Sequence, residues 1–111
     1  MSQGELTAAQ LGELRKFDTP TICNALEIVA PERRTLGFNT LPLHCVYPDL
    51  PPIVGYARTA NIRAIEPPRD AKKAQADRLA YFEYIAEGPA PKIVVHHDLD
   101  GAQAGFGCFW G

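Results

Sequence analysis

The sequence predicts an α/β domain, because a strand, a helix and a second strand follow one another in its second half. Residues 53–65 alternate between apolar and polar side chains, as a half-buried strand does. Residues 70–87 follow a helical pattern, and residues 92–97 contain an apolar run that we expect to form a buried strand. A helix that connects two strands favours a parallel pair with a right-handed crossover.

The length and composition are those of a single globular domain. The chain has 111 residues, of which 46% are hydrophobic and 22% are charged, and its net charge is -2. This charge, with scattered basic residues, favours neither nucleic acid nor an anionic membrane as a partner. No apolar run is long enough for a membrane span, and the N-terminus lacks the features of a secretory signal. We therefore expect a cytoplasmic protein with one domain over residues 1–111.

Two helices are predicted before the first strand. Thr7 and Gln10 have the spacing of a capping box, which predicts a helix over about residues 8–16. Thr19 is a candidate N-cap for a second helix over about residues 20–30, since the proline that follows it suits the first helical position.

The middle of the chain predicts irregular structure followed by the clearest helix. Residues 31–52 contain several prolines, and within them residues 44–47 are a candidate for a short strand. Asp70 is a candidate N-cap for the helix over residues 70–87, and Gly88 has the place of a C-terminal glycine. The residues of this helix that share one predicted face are Ala71, Ala74, Arg78, Phe82 and Ile85.

Three residues of the first predicted strand have a possible special role. Gly55 predicts a backbone bend or the close approach of another segment. Arg58 and Arg63 are five positions apart, and this odd offset places them on opposite faces of a strand, so at most one points into a site. We interpret the two arginines as surface residues.

The three cysteines, Cys23, Cys45 and Cys108, are far apart and form no Cys-x-x-Cys pair. An odd number of separated cysteines argues against a disulfide framework and against a zinc site. We expect reduced thiols that act as small buried apolar residues rather than as nucleophiles.

The segment from His96 to Asp100 carries the side chains most typical of a metal site. Adjacent strand residues point to opposite faces, so His96 and His97 do not readily bind one ion. Asp98 and Asp100 fit two interpretations: ligands of a magnesium ion, or a turn in which the aspartates accept hydrogen bonds from their own backbone. We favour the turn and predict no metal ligand in this chain.

The last residues of the sequence are rich in glycine and aromatic side chains. Their glycine spacing is not that of a dinucleotide-binding turn, and no acidic residue follows at the required distance. Glycines after a strand let backbone N–H groups approach an anion, so Gly107, Trp110 and Gly111 are our candidate substrate-binding residues. Because Phe109-Trp110-Gly111 is unusually apolar for a chain end, we expect the sequence to stop inside its site loop.

Three segments, taken in order, resemble the RraA-like family, which includes the regulator of ribonuclease activity A and 4-hydroxy-4-methyl-2-oxoglutarate aldolase. Residues 14–26 contain Thr-Ile-Cys-Asn-Ala-Leu and resemble the family's helix with Ser/Thr-x-x-Asp/Asn-Ala-Leu. Residues 55–60, Gly-Tyr-Ala-Arg-Thr-Ala, are similar to its Gly-x-Ala-x-Thr strand. Residues 92–111 resemble its segment with Val-x-Val, a later Asp and a final Trp-Gly-Glu. The resemblance covers nearly the whole chain.

The resemblance implies a swivelling β/β/α-type α/β fold, assembled as a homotrimer or homohexamer, of which this chain is a fragment truncated after the first half. In the family's aldolases, the backbone of a Gly-Glu turn holds the pyruvate carboxylate. An arginine–aspartate pair further along the chain binds substrate and a divalent metal, Mg or Mn. Gly111 matches the glycine of that turn, whereas the glutamate, the arginine and the metal-binding aspartate are missing from this sequence.

What the resemblance implies for function is an intact protein that is a divalent-metal-dependent aldolase, a lyase that cleaves a small 2-oxo acid to pyruvate. The chain alone is expected to be inactive and to hold no cofactor, because it lacks the arginine–aspartate motif. The alternative is a non-enzymatic regulator that binds a protein partner, which absence of that motif from the intact protein would favour. A third hypothesis is a complete small domain whose role the sequence does not indicate.

Overall fold

The computed structural model describes residues 4–101, which form a mixed α/β structure. In this part of the chain two α-helices and a short 3-10 helix precede a strand, a third α-helix and a second strand. The chain divides into two compact units, residues 1–54 and residues 55–111, which are described separately below.

Helix α1 of the first unit, Ala8–Leu14, begins at the predicted capping box. The backbone N–H of Gln10 donates to Thr7 Oγ1 at 3.2 Å, and the Thr7 N–H donates to Gln10 Oε1 at 2.8 Å. The helix ends two residues before the predicted end. At this end, backbone amides donate hydrogen bonds to the carbonyl oxygen three residues earlier instead of four. An example is the Lys16 N–H, which donates to the Glu13 carbonyl oxygen at 3.1 Å.

Helix α2, Thr19–Val29, is capped one residue earlier than predicted. Asp18 lies in extended backbone, and its Oδ1 accepts a hydrogen bond of 2.9 Å from the Thr21 N–H. The expectation that Thr19 is the N-cap is therefore wrong. An aspartate at this position both satisfies an unpaired amide and places a negative charge at the positive end of the helix. The hydrogen bonds from Thr21 lower the pKa of Asp18.

The segment after α2 is irregular apart from the 3-10 helix Pro31–Arg33. The candidate strand at residues 44–47 is wrong, because these residues form no strand pairing. Prolines on both sides, Pro42 and Pro48, have no N–H to donate to a ladder, and a turn follows in which the Leu50 N–H bonds to the Tyr47 carbonyl oxygen.

The first unit exposes most of its apolar side chains. Among residues 4–101, Leu11 is the single hydrophobic residue that is buried, with 9% of its surface exposed. Cys23 and Cys45 are exposed, so the expectation of buried thiols is wrong for these two, and Cys108 lies outside the described residues. Four apolar side chains of this unit are at least three-quarters exposed: Ile28, Val29, Leu43 and Val46.

The second unit consists of strand β1, Tyr56–Ile62, helix α3, Ala71–Ala86, and strand β2, Lys92–Asp98. The two strands are parallel, as predicted, and their register pairs Tyr56 with Lys92 and Ile62 with Asp98. The strand predicted over residues 53–65 is confirmed in its centre but is shorter at both ends. The exposure of β1 alternates along the strand, with every second side chain half-buried from Tyr56 onward.

Helix α3 lies one residue inside the predicted bounds at each end, and its predicted N-cap and C-terminal glycine are confirmed. Asp70 Oδ1 accepts a hydrogen bond of 3.0 Å from the Lys73 N–H, and Gly88 follows the helix with a φ of 79°. The predicted face is only partly confirmed, because the half-buried side chains include Tyr81, whereas Phe82 is 47% exposed. The half-buried residues within α3 are Ala74, Tyr81 and Ile85.

Strand β2 differs from its prediction in burial. Val94 and Val95 are 40% and 51% exposed, so the expectation of a buried strand is wrong. Gly55 has the predicted close neighbour: a Cβ added there would lie 2.9 Å from the Pro91 carbonyl oxygen. That same oxygen accepts a 2.9 Å hydrogen bond from the Tyr56 N–H at the start of the strand pair.

Candidate functional site

Both strands of the sheet end side by side, and the turns that follow them form what we name the carboxyl-terminal edge, residues 62–65 and 98–101. In open α/β sheets, ligands bind outside this end of the strands. The Leu99 N–H donates to the Ile62 carbonyl oxygen at 3.0 Å, which extends the parallel pairing into the edge. The carboxyl-terminal edge is therefore the candidate ligand site in the described part of the chain.

Asp100 connects the two halves of the carboxyl-terminal edge. Its Oδ2 accepts hydrogen bonds from the backbone N–H groups of Ala64, at 2.7 Å, and Ile65, at 3.0 Å. Its Oδ1 lies 3.7 Å from Arg63 Nε, and the side chain is 11% exposed. The two backbone hydrogen bonds, from Ile65 and Ala64, and then the charge of Arg63 hold the pKa of Asp100 below its usual value.

Asp98 and Asp100 adopt the turn that the sequence predicts. The Asp100 N–H donates to Asp98 Oδ1 at 2.9 Å, which is an Asx turn closing β2. Both carboxylates thus accept hydrogen bonds from the backbone of the edge itself. Within residues 4–101 no group of three or more His, Cys, Asp or Glu side chains is placed to hold a metal ion.

The two adjacent histidines lie on different faces of the sheet, as predicted. His96 is half-buried on the face that α3 covers, where its Nε2 lies 2.8 Å from the Tyr81 hydroxyl oxygen. The two rings are tilted, with centroids 5.6 Å apart. His97 is exposed on the opposite face. The pair therefore does not converge on a common ligand.

Arg58 is not the surface residue that the sequence suggests. Its side chain is half-buried, and Nη2 donates to the Glu87 carbonyl oxygen at 2.7 Å. The guanidinium carbon lies 5.0 Å from the centre of the Tyr84 ring, a cation–π distance. Its Nε is buried without a hydrogen-bond partner. Arg63 does remain on the surface, with a side chain that is 64% exposed.

We name the face of the sheet opposite α3 the open face. Residues of β1 and β2 that are paired in the register lie beside each other on it. The register places Thr59 beside Val95 and Asn61 beside His97. A shallow depression of about 480 Å³ lies at this position and opens widely to solvent. Its hydroxyl, amide and imidazole groups can hydrogen-bond a polar ligand, but such an open surface does not exclude water as enclosed sites do. The depression is lined by Thr59, Ala60, Asn61, Val95, His96 and His97.

The predicted substrate-binding residues Gly107, Trp110 and Gly111 lie outside the described residues. The sequence did not predict two of the contacts described above. The first is the pair of hydrogen bonds that Asp100 accepts from the turn after β1. The aspartate pattern in the sequence indicated only a local turn. The second is the hydrogen bond from Arg58 to the Glu87 carbonyl oxygen. The sequence does indicate such a contact, since a charged residue on the apolar face of a predicted strand needs a partner for its charge.

Comparison of the chain with protein-family models, with curated proteins and with solved structures found no match. Within the described range of residues, no helix is both long and apolar enough to cross a membrane.

Proposed function

We propose that this chain is part of an RraA-like protein with a swivelling β/β/α-type fold. Its intact, homo-oligomeric form is a divalent-metal-dependent lyase that cleaves a small 2-oxo acid to pyruvate. The observation that carries the proposal is the order of three motif-like segments, at residues 14–26, 55–60 and 92–111. Each segment is short, but their order and spacing together are fairly specific.

The arrangement of two of these segments supports the proposal. Residues 55–60 lead into and form much of β1, and residues 92–98 form β2, so the motif-bearing segments are hydrogen-bonded neighbours. Both strands end at the carboxyl-terminal edge, from which the chain continues toward the glycine-rich residues after Gly101.

The proposed chemistry needs a cation that the described residues do not bind. A retro-aldol cleavage leaves the enolate of pyruvate, whose charge a divalent cation stabilises as a Lewis acid. Residues 4–101 contain no donor set for such an ion, so we derive no step through it from this chain. Its ligands would come from the arginine–aspartate motif that the resemblance places after Gly111. The contribution of this chain's own residues is positioning, through the Asp98 turn and the cross-strand contacts of Asp100.

The test is a pyruvate-release assay on the intact gene product, coupled to lactate dehydrogenase, with substrates of the 4-carboxy-4-hydroxy-2-oxoadipate type. We expect turnover that a chelator abolishes and that Mg²⁺ or Mn²⁺ restores. The 111-residue chain, assayed in parallel, is the matched control and should release no pyruvate. Absence of turnover by an intact protein that carries the arginine–aspartate motif would overturn the proposal.

The second candidate is a non-enzymatic regulator that binds a protein partner. The observation that favours it is the exposed apolar surface of the first unit, on which Ile28 and Val29 of α2 are 81% and 75% exposed. Exposed apolar side chains are typical of surfaces that associate with a partner when they lie together in a patch. Inhibition of a purified ribonuclease by an intact protein that releases no pyruvate would favour this candidate over the lyase.

A further inference from the structure

Asp100 is followed directly by Gly101, and no other aspartate or asparagine in the sequence precedes a glycine. In such a pair the backbone nitrogen of the glycine can attack the carboxyl carbon of the aspartate side chain, because glycine has no Cβ that obstructs the approach. Gly101 is exposed, and nothing beyond its chain neighbours would lie within 4 Å of a Cβ added there. The surroundings of Gly101 therefore place no obstacle before this reaction.

The folded chain restrains Asp100 at both its side chain and its backbone. The carboxylate Oδ2 accepts hydrogen bonds of 2.7 and 3.0 Å from the N–H groups of Ala64 and Ile65, and the side chain is 11% exposed. The backbone N–H of Asp100 donates to Asp98 Oδ1 at 2.9 Å. For the carboxyl carbon to reach the Gly101 nitrogen, Asp100 must first release the turn after β1.

The charge of the Asp100 carboxyl group adds a further restraint. Attack by the amide expels a carboxyl oxygen as water, and this requires the carboxyl group to be protonated. The backbone hydrogen bonds from Ile65 and Ala64, followed by the charge of Arg63, stabilise the ionised carboxylate and lower its pKa. The same contacts therefore hold the carboxyl group away from Gly101 and keep it in the unreactive form.

We propose that Asp100–Gly101 is a site of spontaneous isoaspartate formation, and that the hydrogen bonds from Ala64 and Ile65 determine its rate. The Gly101 nitrogen forms a bond to Asp100 Cγ and loses its proton, and a carboxyl oxygen leaves as water, which gives a cyclic succinimide. A water molecule then hydrolyses the ring. Cleavage between Cγ and the nitrogen restores aspartate, whereas cleavage at the α-carbonyl carbon leaves isoaspartate, in which the main chain runs through Cγ.

Isoaspartate cannot reproduce the contacts of Asp100. Its main chain is one carbon longer before Gly101, and its free carboxylate is attached directly to Cα, one carbon closer to the main chain. The hydrogen bonds to Ala64 and Ile65 are therefore lost. Since the reaction requires these hydrogen bonds to open, the isoaspartyl fraction of the protein records how often the carboxyl-terminal edge opens.

The first test compares the folded chain with a synthetic peptide of residues 93–105, which lacks Ala64 and Ile65. Both are incubated at neutral pH and physiological temperature, and isoaspartate is located by electron-transfer fragmentation in the mass spectrometer. We expect it at residue 100 in both. In the folded chain it should form at least about tenfold more slowly, because hydrogen bonds to a charged group stabilise by more than a tenfold change requires. Asp98, followed by the obstructing side chain of Leu99, is the internal control and should stay unmodified.

The second test changes the contacts of Asp100 without changing the reacting pair. Ala64→Pro removes one N–H donor and should accelerate isoaspartate formation in the folded chain about tenfold. Arg63→Gln leaves the backbone donors in place and removes the charge beside Asp100 Oδ1, so we expect a smaller increase of about twofold. Arg69→Gln, the same charge change at an exposed residue before α3, is the matched control and should leave the rate unchanged.

Three results would overturn the proposal. Equal rates in the folded chain and the peptide would show that the contacts of Asp100 do not restrain the reaction. A peptide without isoaspartate at residue 100 would show that the pair is not a modification site. Should Ala64→Pro fail to fold, Arg63→Gln decides, and a rate equal to that of Arg69→Gln would contradict control by the carboxyl-terminal edge.

Discussion

The carboxylate of Asp100 accepts a hydrogen bond of 2.7 Å from the backbone N–H of Ala64, 36 residues earlier in the chain. This contact joins the turn after β2 to the turn after β1, at the edge where we place the site. The same carboxylate oxygen also accepts from the next amide, so a single side chain satisfies two backbone donors that no strand satisfies. Asp100 therefore joins the two turns of the carboxyl-terminal edge, beside the hydrogen bond from the Leu99 N–H to the Ile62 carbonyl oxygen.

Replacing Asp100 by asparagine should destabilise the second unit. The asparagine amide has one oxygen acceptor and no charge, so the hydrogen bonds to the two backbone amides weaken, and so does the attraction to Arg63. We expect the melting temperature, followed by far-UV circular dichroism, to fall by a few degrees. Asp49→Asn, on an exposed residue of the first unit, is the control. An equal effect of the two substitutions would contradict the role of Asp100.

The stability of the chain should fall in acid through Asp100. Its pKa is lower in the folded chain than the ordinary value of 3.8, so its contribution is complete above that value and is lost as the pH falls through the folded pKa. Asp18 acts in the same direction for the same reason, through Thr21. Urea midpoints measured from pH 5 downward should decline below about pH 4. The decline should be smaller in Asp100→Asn, and an identical profile would rule out this linkage.

Gly88→Ala should destabilise the end of α3 for two reasons, backbone strain at residue 88 and a collision with the Arg58 side chain. Gly88 has a positive φ of 79°, and an added Cβ would collide with Arg58 Nη2. Left-handed backbone costs a non-glycine residue about 1–2 kcal/mol, and displacing Arg58 from the Glu87 carbonyl adds to this. Gly101→Ala is the matched control, because its φ is 62° but nothing lies within 4 Å of the added Cβ. The free energy of unfolding, from urea titration, should fall further for Gly88→Ala.

Gly55→Ala should weaken the start of the parallel strand pair. The added Cβ would lie 2.9 Å from the Pro91 carbonyl oxygen and 3.2 Å from Ile93 Cγ1, so the backbone must move apart. Overpacking of this kind typically costs about 1–3 kcal/mol. The amide of Tyr56, which donates to Pro91, should exchange faster with solvent. Gly12→Ala, inside α1 with open space around it, should instead stabilise its helix by about 0.5–1 kcal/mol. A Gly55→Ala chain as stable as the wild type would show that the strands can separate at no cost.

Much of the second unit could be predicted because its signals are local. The Asp70 cap, the glycine after α3 and the turn from Asp98 to Asp100 each involve residues no more than three positions apart. A side chain that close along the chain can reach the backbone group it satisfies without any tertiary contact. The parallel pairing of the strands followed in turn from the helix between them.

Less of the candidate site could be predicted, and its proposed substrate-binding residues, Gly107, Trp110 and Gly111, lie beyond the described part of the chain. The turn from Asp98 to Asp100, one of the two interpretations of these aspartates, is present, and the sequence does indicate its hydrogen bond. The cross-strand role of Asp100 was not indicated, because an acceptor for the amide of Ala64 can come from any residue that folding brings near it.

The sequence by itself determined where the helices and strands lie and how most of them begin and end, since caps and periodicity act over a few residues. The tertiary structure alone decided that Arg58 bonds to Glu87, that Tyr81 rather than Phe82 faces the sheet, and that the valines of β2 remain exposed. Burial and contacts between residues distant in the sequence depend on which surfaces pack together in the folded chain. No local sequence pattern specifies which surfaces pack together, because the same apolar strand can lie in a buried sheet or at an exposed edge.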